Sequence, residues 1–493
     1  MNKIEEIFKA WNITLNPNNK QSELASKRLE ICNSCEYKKT TLGVNICSVC
    51  GCSLKAKVFS PKTDACPKDK WNKIDKVMIN QKIFIQIASY RDPELTNTIK
   101  DCIEKSKYPE NLVFSIAHQH SKDDAWDNLD EFKDDSRFKI ISIDYLETKG
   151  ACWARNLLQQ QYTNEAYTLQ LDSHHRFIQN WDEELIEILN NLQQKGYKKP
   201  LLTGYIPSFN PEKDPEGRVM EPWQMNFDRF IPEGAIFFLP ATIPDWKNLQ
   251  EPIPARFYSA HFCFTLGSFV EEVPHDPEFY FHGEEISIAV RAYTSGYDLF
   301  HPHKVIIWHE YTRKGRTKQW DDDKTWTTKN DFAHLKNRKL FEMDGEIKDI
   351  DFGIYDFGKE RTLEDYERYA GISFKKRAIQ KYTQDNNCAP NPPLYGQEFE
   401  DSLLKIFKHC IDVNYSSVPE KDYEYWVVAF HNNKDETIHR KDIDINEINQ
   451  LLKDPEGYCK IWREFECEEN PKYWVVWPFS TSKGWCERIT GTL

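Results

Sequence analysis

The tightest constraint on this chain is a series of short apolar runs, each stopping at polar or ionisable residues, with helix-like stretches between them. Ile83-Phe84-Ile85-Gln86-Ile87-Ala88 runs into Ser89-Tyr90-Arg91-Asp92-Pro93. Leu112-Val113-Phe114-Ser115-Ile116-Ala117 runs into His118-Gln119, and Phe138 to Ile143 forms a third run. The fourth, Tyr167-Thr168-Leu169-Gln170-Leu171, is broken only by Thr and Gln and stops at Asp172-Ser173-His174-His175. Helical character over Glu94 to Lys107 and from Gly150 to Leu158 separates the strands. This alternation predicts an α/β fold with a doubly wound, mainly parallel sheet and ligand sites at the carboxyl ends of its strands.

Asp172 and His174 flank one small residue, so both can turn toward the same cation. A strand that simply ends in a polar turn fits the same spacing. Val305-Ile306-Ile307-Trp308 delivers His309, a further imidazole at a strand end far along the chain. Arg91 and Arg155 fall near strand ends or helix starts, where a phosphate-bearing ligand needs cations and helix N-termini; ordinary surface ion pairs are the alternative. Phe281-His282-Gly283-Glu284-Glu285 opens another helix, which Gly296 ends. Residues 203 to 256 are rich in Pro with few clear periods, and read as a long loop region over the sheet.

Upstream lies a different chemistry. Of fourteen cysteines, six fall between Cys32 and Cys66. Cys32-Asn33-Ser34-Cys35 and Cys47-Ser48-Val49-Cys50 are separated by eleven residues, a spacing suited to tetrahedral Zn2+ on four thiolates. So short a segment buries little core, so a metal would supply its folding energy. Cys32, Cys35, Cys47 and Cys50 are the favoured ligands, with Cys52 or Cys66 as substitutes. A disulfide module is the alternative, and it fits badly without a secretion signal. Lys55, Lys57, Lys62, Lys68, Lys70 and Lys73 make the segment locally basic.

The net charge of −13 argues against a broad grip on a phosphate backbone. No apolar run approaches the length of a membrane span, and the first residues lack a signal-peptide core, so a cytoplasmic protein without membrane contact is expected. The domain pattern expected is an N-terminal helix and zinc-ribbon-like module over 1–78, a catalytic domain over 79–375, a polar linker over 376–400 and a small α/β accessory module over 401–493. Helix, strand, helix and strand patterns are read in that last part, with Tyr425 to Phe430 and Tyr473 to Phe479 as two related strands. Its aromatics are assigned mainly to core packing.

Five motifs in order resemble the cytosolic GlcNAc-transferase family, whose best-known members modify hydroxyproline of a ubiquitin-ligase adaptor. They are Ile87-Ala88-Ser89-Tyr90-Arg91-Asp92-Pro93, Gly150-Ala151-Cys152-Trp153-Ala154-Arg155, Leu169-Gln170-Leu171-Asp172-Ser173-His174, Gly283-Glu284-Glu285 and Arg361-Thr362-Leu363-Glu364-Asp365-Tyr366. The resemblance covers roughly residues 80 to 375, leaving out the cysteine segment and the tail. It implies a GT-A core, a UDP-sugar donor, retention at the anomeric carbon and a divalent metal, Mn2+ or Mg2+. Asp172 and His174 would be the acid-x-acid equivalent, with His in place of the second acid, and His309 the third metal ligand. Ser89, Arg91, Asp92 and Ser173 would lie at the donor, with Arg91 and Asp92 at the uridine end. Arg155 would contact the diphosphate or sugar, while Glu284 and Glu285 would reach sugar hydroxyls and the acceptor. Asp172, Arg155 and Glu285 are thus the catalytic candidates, and His175 supports His174 from the side. The resemblance leaves double displacement and front-face attack both open. The function expected is transfer of GlcNAc from UDP-GlcNAc to a protein hydroxyl. Transfer to hydroxymethylated bases of DNA is the second possibility, and an inactive sugar-binding module the third.

Overall fold

The computed structural model describes residues 3–15, 17, 19–41, 43–62, 65–71, 81–312, 315–467 and 469–493. The N-terminal region carries helices Lys3–Leu15 and Asn19–Asn33, strands β1 (Lys38–Thr41) and β2 (Val44–Cys47), and a short helix Leu54–Lys57. Its core is small: Ala25, Cys32, Leu54, Val58 and Trp71. Arg28 is fully buried beside them, over the Trp71 ring at 4.7 Å, and donates to the carbonyls of Val58 and Ser60. A guanidinium thus does part of the work that apolar side chains do in larger cores.

The strands that follow are β3 (Ile83–Tyr90), β4 (Leu112–His120), β5 (Phe138–Asp144), β6 (Tyr167–Leu171), β7 (His175–Phe177), β8 (Pro200–Thr203), β9 (Trp223–Phe230), β10 (Ile236–Thr242), β11 (Ile253–Pro254), β12 (Phe262–Leu266), β13 (Asp298–His301) and β14 (Ile307–His309). Eight of them form one sheet in the order β11-β13-β8-β12-β6-β3-β4-β5. The pairs β3/β4, β3/β6, β4/β5 and β8/β13 are parallel, while β12 runs against both of its neighbours. This is the mainly parallel α/β core expected of a GT-A fold.

The near-continuous apolar runs follow from burial on both faces. Ile83, Phe84, Ile85 and Ile87 are all at most 1% exposed. One face packs on helices Leu95–Lys105 and Trp181–Gln194, and the other on helix Glu284–Thr294. Among the described residues, no helix is long and apolar enough to cross a membrane.

Two stretches differ from the sequence reading. The Pro-rich span read as a loop contains the antiparallel hairpin β9–β10, with a register shift between Phe237 and Phe238. Pro240 sits within β10 itself, so the prolines masked the strand signal without abolishing it. The stretch read as a linker is packed: Ala378–Gln380 is a strand, and Asn391 is buried, accepting from Arg256 Nε at 3.0 Å. Polar residues there satisfy a buried cation rather than water. Beyond it, Ile406–Asn414 pairs with Tyr458–Glu466, and Tyr423–His431 with Tyr473–Ser480, around a separate core that includes Trp426, Phe430 and Val476. Strand content there exceeds the pattern read from the sequence. Tyr458–Glu466 alternates strictly between exposed and buried residues, which is the period of a strand.

Candidate active site

β6 ends at Leu171, and the next three residues turn at the carboxyl edge of the sheet. Thr98, from helix Leu95–Lys105, fixes that turn. Its hydroxyl donates to the Ser173 carbonyl at 2.9 Å and accepts from the His175 N–H at 2.8 Å. His175 points away from the turn's mouth, and its Nε2 accepts from the Asp172 N–H at 3.3 Å. β7 then pairs with β14 so that His309 stands opposite His175. A two-strand ladder therefore carries His309 to a site far from it in sequence.

Asp172, His174 and His309 present ligand atoms all within 4.8 Å of one another. Asp172 Oδ2 lies 3.4 Å from His309 Nε2 and 3.8 Å from His174 Nε2. His174 Nδ1 is 2.7 Å from Asp92 Oδ2, and Arg316 Nη1 approaches the same ring, 2.5 Å from Nδ1 and 3.1 Å from Nε2. A carboxylate behind a ligand imidazole is the usual way to fix its tautomer and angle. Both ring nitrogens of His309 are buried without a hydrogen-bond partner. Burial first, then the neighbouring His261 ring, pulls His309 well below the ordinary histidine range, so it stays neutral. Burial opposes ionisation of Asp172, but His309 and Arg155 hold it well below the usual carboxylate range. One carboxylate and two imidazoles make a donor set suited to a divalent cation such as manganese.

A cavity of about 170 Å³ opens above this cluster. Two arginines line it. Arg155 donates to Asp172 Oδ1 at 2.9 Å, and Arg316 donates to Asp92 Oδ2 and Glu310 Oε2, each at 2.9 Å. Gly150 and Ala151, at the N-terminus of helix Ala151–Gln159, also line it. Gly150 takes φ 114°, and a Cβ there would meet the Tyr280 ring and backbone at 3.0 Å. Asp172, Ser173, His174, Asp92 and Arg155 line this cavity together.

Other expected residues do not line it. Arg91 is tied to Asp124 at 2.7 Å and Asp322 at 2.9 Å, over the Tyr145 ring. Ser89 is fully buried. Glu284 lies behind Arg155, whose guanidinium holds it at about 2 against the effect of burial. Glu285 accepts from the Ala260 N–H at 3.0 Å and the Tyr205 hydroxyl at 3.1 Å, and burial pushes it up to about 7.

The cysteine segment is arranged differently. Among the described residues, its six cysteines bring no three sulfurs within 4.8 Å of one another. The Lys57 ammonium sits 2.9 Å from Cys50 Sγ, and burial pushes the Cys32 thiol up to about 11. A cavity of about 680 Å³, lined by Trp11, Cys50, Cys52 and Lys57 among others, lies between the first helix and the second cysteine pair. Lys62 and Lys70 are within ion-pair reach of Glu6 and Glu36.

Three residues beside the cluster escaped the sequence reading. Arg316 belongs to the basic run Arg313-Lys314-Gly315-Arg316, close after His309, and that run was the available signal. His261 stacks on His309 at 4.2 Å, just ahead of β12. Gln170 gave a weaker signal as a polar residue within a buried strand.

Comparison with known proteins gives one family. The family described as Glycosyltransferase (GlcNAc) matches residues 82–137 and 127–376, together 295 of the 493 residues. No curated protein matches the sequence. Among solved structures, GalNAc-T7 with UDP, GalNAc and Mn2+ is similar at 14% identity and TM-score 0.38, over 58% of this chain and 54% of that one. The chain thus spans about half the length of that relative. TarS of S. aureus is similar at 10% identity and TM-score 0.33, over 83% of this chain and 77% of its own. The mannosyltransferase PcManGT from Pyrobaculum calidifontis, with GDP-Man and Mn2+, is similar at 11% identity and TM-score 0.29, over 48% of this chain and 58% of its own.

Proposed function

The chain belongs to the GlcNAc glycosyltransferase family, and from that premise we propose that it transfers GlcNAc from UDP-GlcNAc to a protein hydroxyl with retention. The observation that carries this is the convergence of Asp172, His174 and His309 beneath a cavity lined by Arg155 and Arg316. The unpartnered nitrogens of His309 and the mixed carboxylate–imidazole set fit Mn2+ or Mg2+, which these three residues would hold. Such an ion, when bound, supplies Lewis-acid stabilisation of the departing diphosphate.

The rest falls to the chain's own side chains. Transfer breaks the bond from the sugar C1 to the phosphate oxygen and forms one from C1 to the acceptor oxygen; negative charge grows on UDP, and the acceptor hydroxyl's proton passes to the released diphosphate or to water. Arg155, Arg316 and the N-terminus of helix Ala151–Gln159 face the space where that charge grows. Asp92 orients His174 from behind rather than gripping uridine, and Ser173 donates to the same carboxylate oxygen at 2.7 Å. Glu285, pushed up to about 7 by burial while Ala260 and Tyr205 donate to it, is assigned to a sugar or acceptor hydroxyl.

We assign Zn2+ to Cys32, Cys35, Cys47 and Cys50, with Cys52 and Cys66 as substitutes. Support comes from two CxxC pairs in a segment whose apolar core is five residues. This segment and residues 401–493 are assigned to acceptor choice. A protein acceptor is preferred to DNA because Lys57, Lys62 and Lys70 already face Cys50, Glu6 and Glu36.

The test is incubation with UDP-sugars and Mn2+, read by mass spectrometry of donor and candidate acceptors. Slow hydrolysis of UDP-GlcNAc, abolished in Asp172→Ala, is expected. No turnover of any UDP-sugar, with UDP binding untouched by Asp172→Ala, would sink the proposal.

A further inference from the structure

Strand β6 carries a buried glutamine, Gln170, close to the cluster. Gln170 is 2% exposed, between Leu169 and Leu171 at 0%. Asp172 follows the strand two residues later, in the turn at its carboxyl end. The Gln170 amide has a defined orientation. Its Nε2 donates to the Ala260 carbonyl at 2.7 Å, which leaves Oε1 to accept from His275 Nε2 at 2.6 Å.

From there a chain of contacts leads back to the metal-binding cluster. His275 is fully buried, and its Nδ1, which makes no hydrogen bond, lies 3.2 Å from Glu284 Oε1, so this link is one of close contact. Glu284 Oε1 also accepts from Arg155 Nη1 at 2.5 Å, and Arg155 Nη2 donates to Asp172 Oδ1 at 2.9 Å. The path thus leaves β6 at Gln170 and returns to the turn after it at Asp172. Arg155 Nε is buried without a partner, so the two carboxylates set the angle of the guanidinium.

The His275 backbone is clamped to the helix that bears Arg155. Its N–H donates to Gln159 Oε1 at 2.7 Å, and its carbonyl accepts from Asn156 Nδ2 at 2.8 Å. Cys152, His275 and Glu284 also have ligand atoms within 4.8 Å of one another. A second cation is disfavoured there. Arg155 already neutralises Glu284, and burial pushes the Cys152 thiol well up, so that it keeps its proton.

We propose that Gln170 and His275 are positioning residues that act through Glu284 to hold the Arg155 guanidinium in register with the departing diphosphate. This rests on the transferase reading above. The circuit also accounts for the polar residue in β6, because an apolar side chain at 170 would leave His275 Nε2 without an acceptor.

The experiment is a double-mutant cycle on UDP-GlcNAc hydrolysis by the full-length protein with Mn2+. Gln170→Met is expected to lower kcat about 10- to 100-fold with KM changed less than about threefold, since a misplaced Arg155 acts on the transition state. In an Arg155→Lys background the same change is expected to cost less than about threefold, because residues acting through one group are not additive. An equal cost in both backgrounds overturns the proposal. His275→Leu repeats the cycle should Gln170→Met fail to fold, with thermal midpoints deciding that point. His275→Gln keeps an N–H donor and is expected to recover most of the loss seen in His275→Leu; equal losses also overturn the proposal. If the wild-type protein turns over no UDP-sugar, the transferase reading fails by itself. The cycle is then read in UDP–Mn2+ affinity, where additivity again rejects the positioning role.

Discussion

Two regions of this molecule carry metal-binding residue types, and they are prepared to different degrees. At the sheet edge, Asp172, His174 and His309 converge within 4.8 Å, with Asp92 and Thr98 fixing the turn behind them. In the N-terminal segment, two CxxC pairs lie on elements whose shared core is five residues, and among the described residues no three of their sulfurs lie within 4.8 Å of one another. A large buried sheet can hold charged ligands in place before any ion arrives, because the folding energy comes from elsewhere. A segment of this size lacks that reserve, which the proposed Zn2+ would supply.

The largest effect that tests this contrast is Asp172→Ala. It is expected to lower UDP-GlcNAc turnover about 10³-fold or more, while near-UV circular dichroism shows an intact core. Collapse of the core on this change would mean the sheet edge is no more prepared than the cysteine segment. Removal of zinc is expected to do the reverse. Chelation, or Cys32→Ser with Cys47→Ser, should open residues 17–71 to protease while donor hydrolysis stays within about threefold of wild type. One zinc per chain by elemental analysis is expected, and a segment equally protected after chelation breaks the contrast.

Arg316→Ala is the next effect in size. Loss of one cation at the diphosphate is expected to cost about 10- to 100-fold in kcat/KM, with Mn2+ affinity preserved. The smallest effect concerns stability alone. Burial pushes Glu367 up to about 7 from an ordinary 4.5, so its neutral form is the one the fold prefers. That contribution is full below about pH 4.5 and fades as pH rises through 7, a change of about 3 kcal/mol at most. Glu367→Gln is expected to flatten this part of the Tm–pH profile, an outcome that zinc removal should not alter.

Much of this was legible in the sequence because it rests on local pattern. Apolar runs ending at Asp172 and His309 predicted strands, and β6 and β14 bring these two side chains within 3.4 Å of each other. What escaped depends on distance in the chain. Asp92 lies behind His174 only because β3 and β6 are parallel neighbours, and Arg91 is drawn aside by Asp322 from far downstream. Glu284 and Glu285 are adjacent in sequence yet serve Arg155 and Tyr205 on different sides of a helix start. Adjacency alone does not tell which carboxylate a cation will claim. The hairpin β9–β10 was hidden for another reason, since prolines suppress the strand pattern even where tertiary pairing supplies the ladder.

The most direct test is electron paramagnetic resonance titration of Mn2+ into the purified protein with and without UDP. One tight Mn2+ per chain is expected, strengthened by UDP, lost in Asp172→Ala and retained in Cys47→Ser. Mn2+ binding that survives Asp172→Ala, or that disappears with Cys47→Ser, would contradict the assignment of the sheet-edge cluster as the donor metal site.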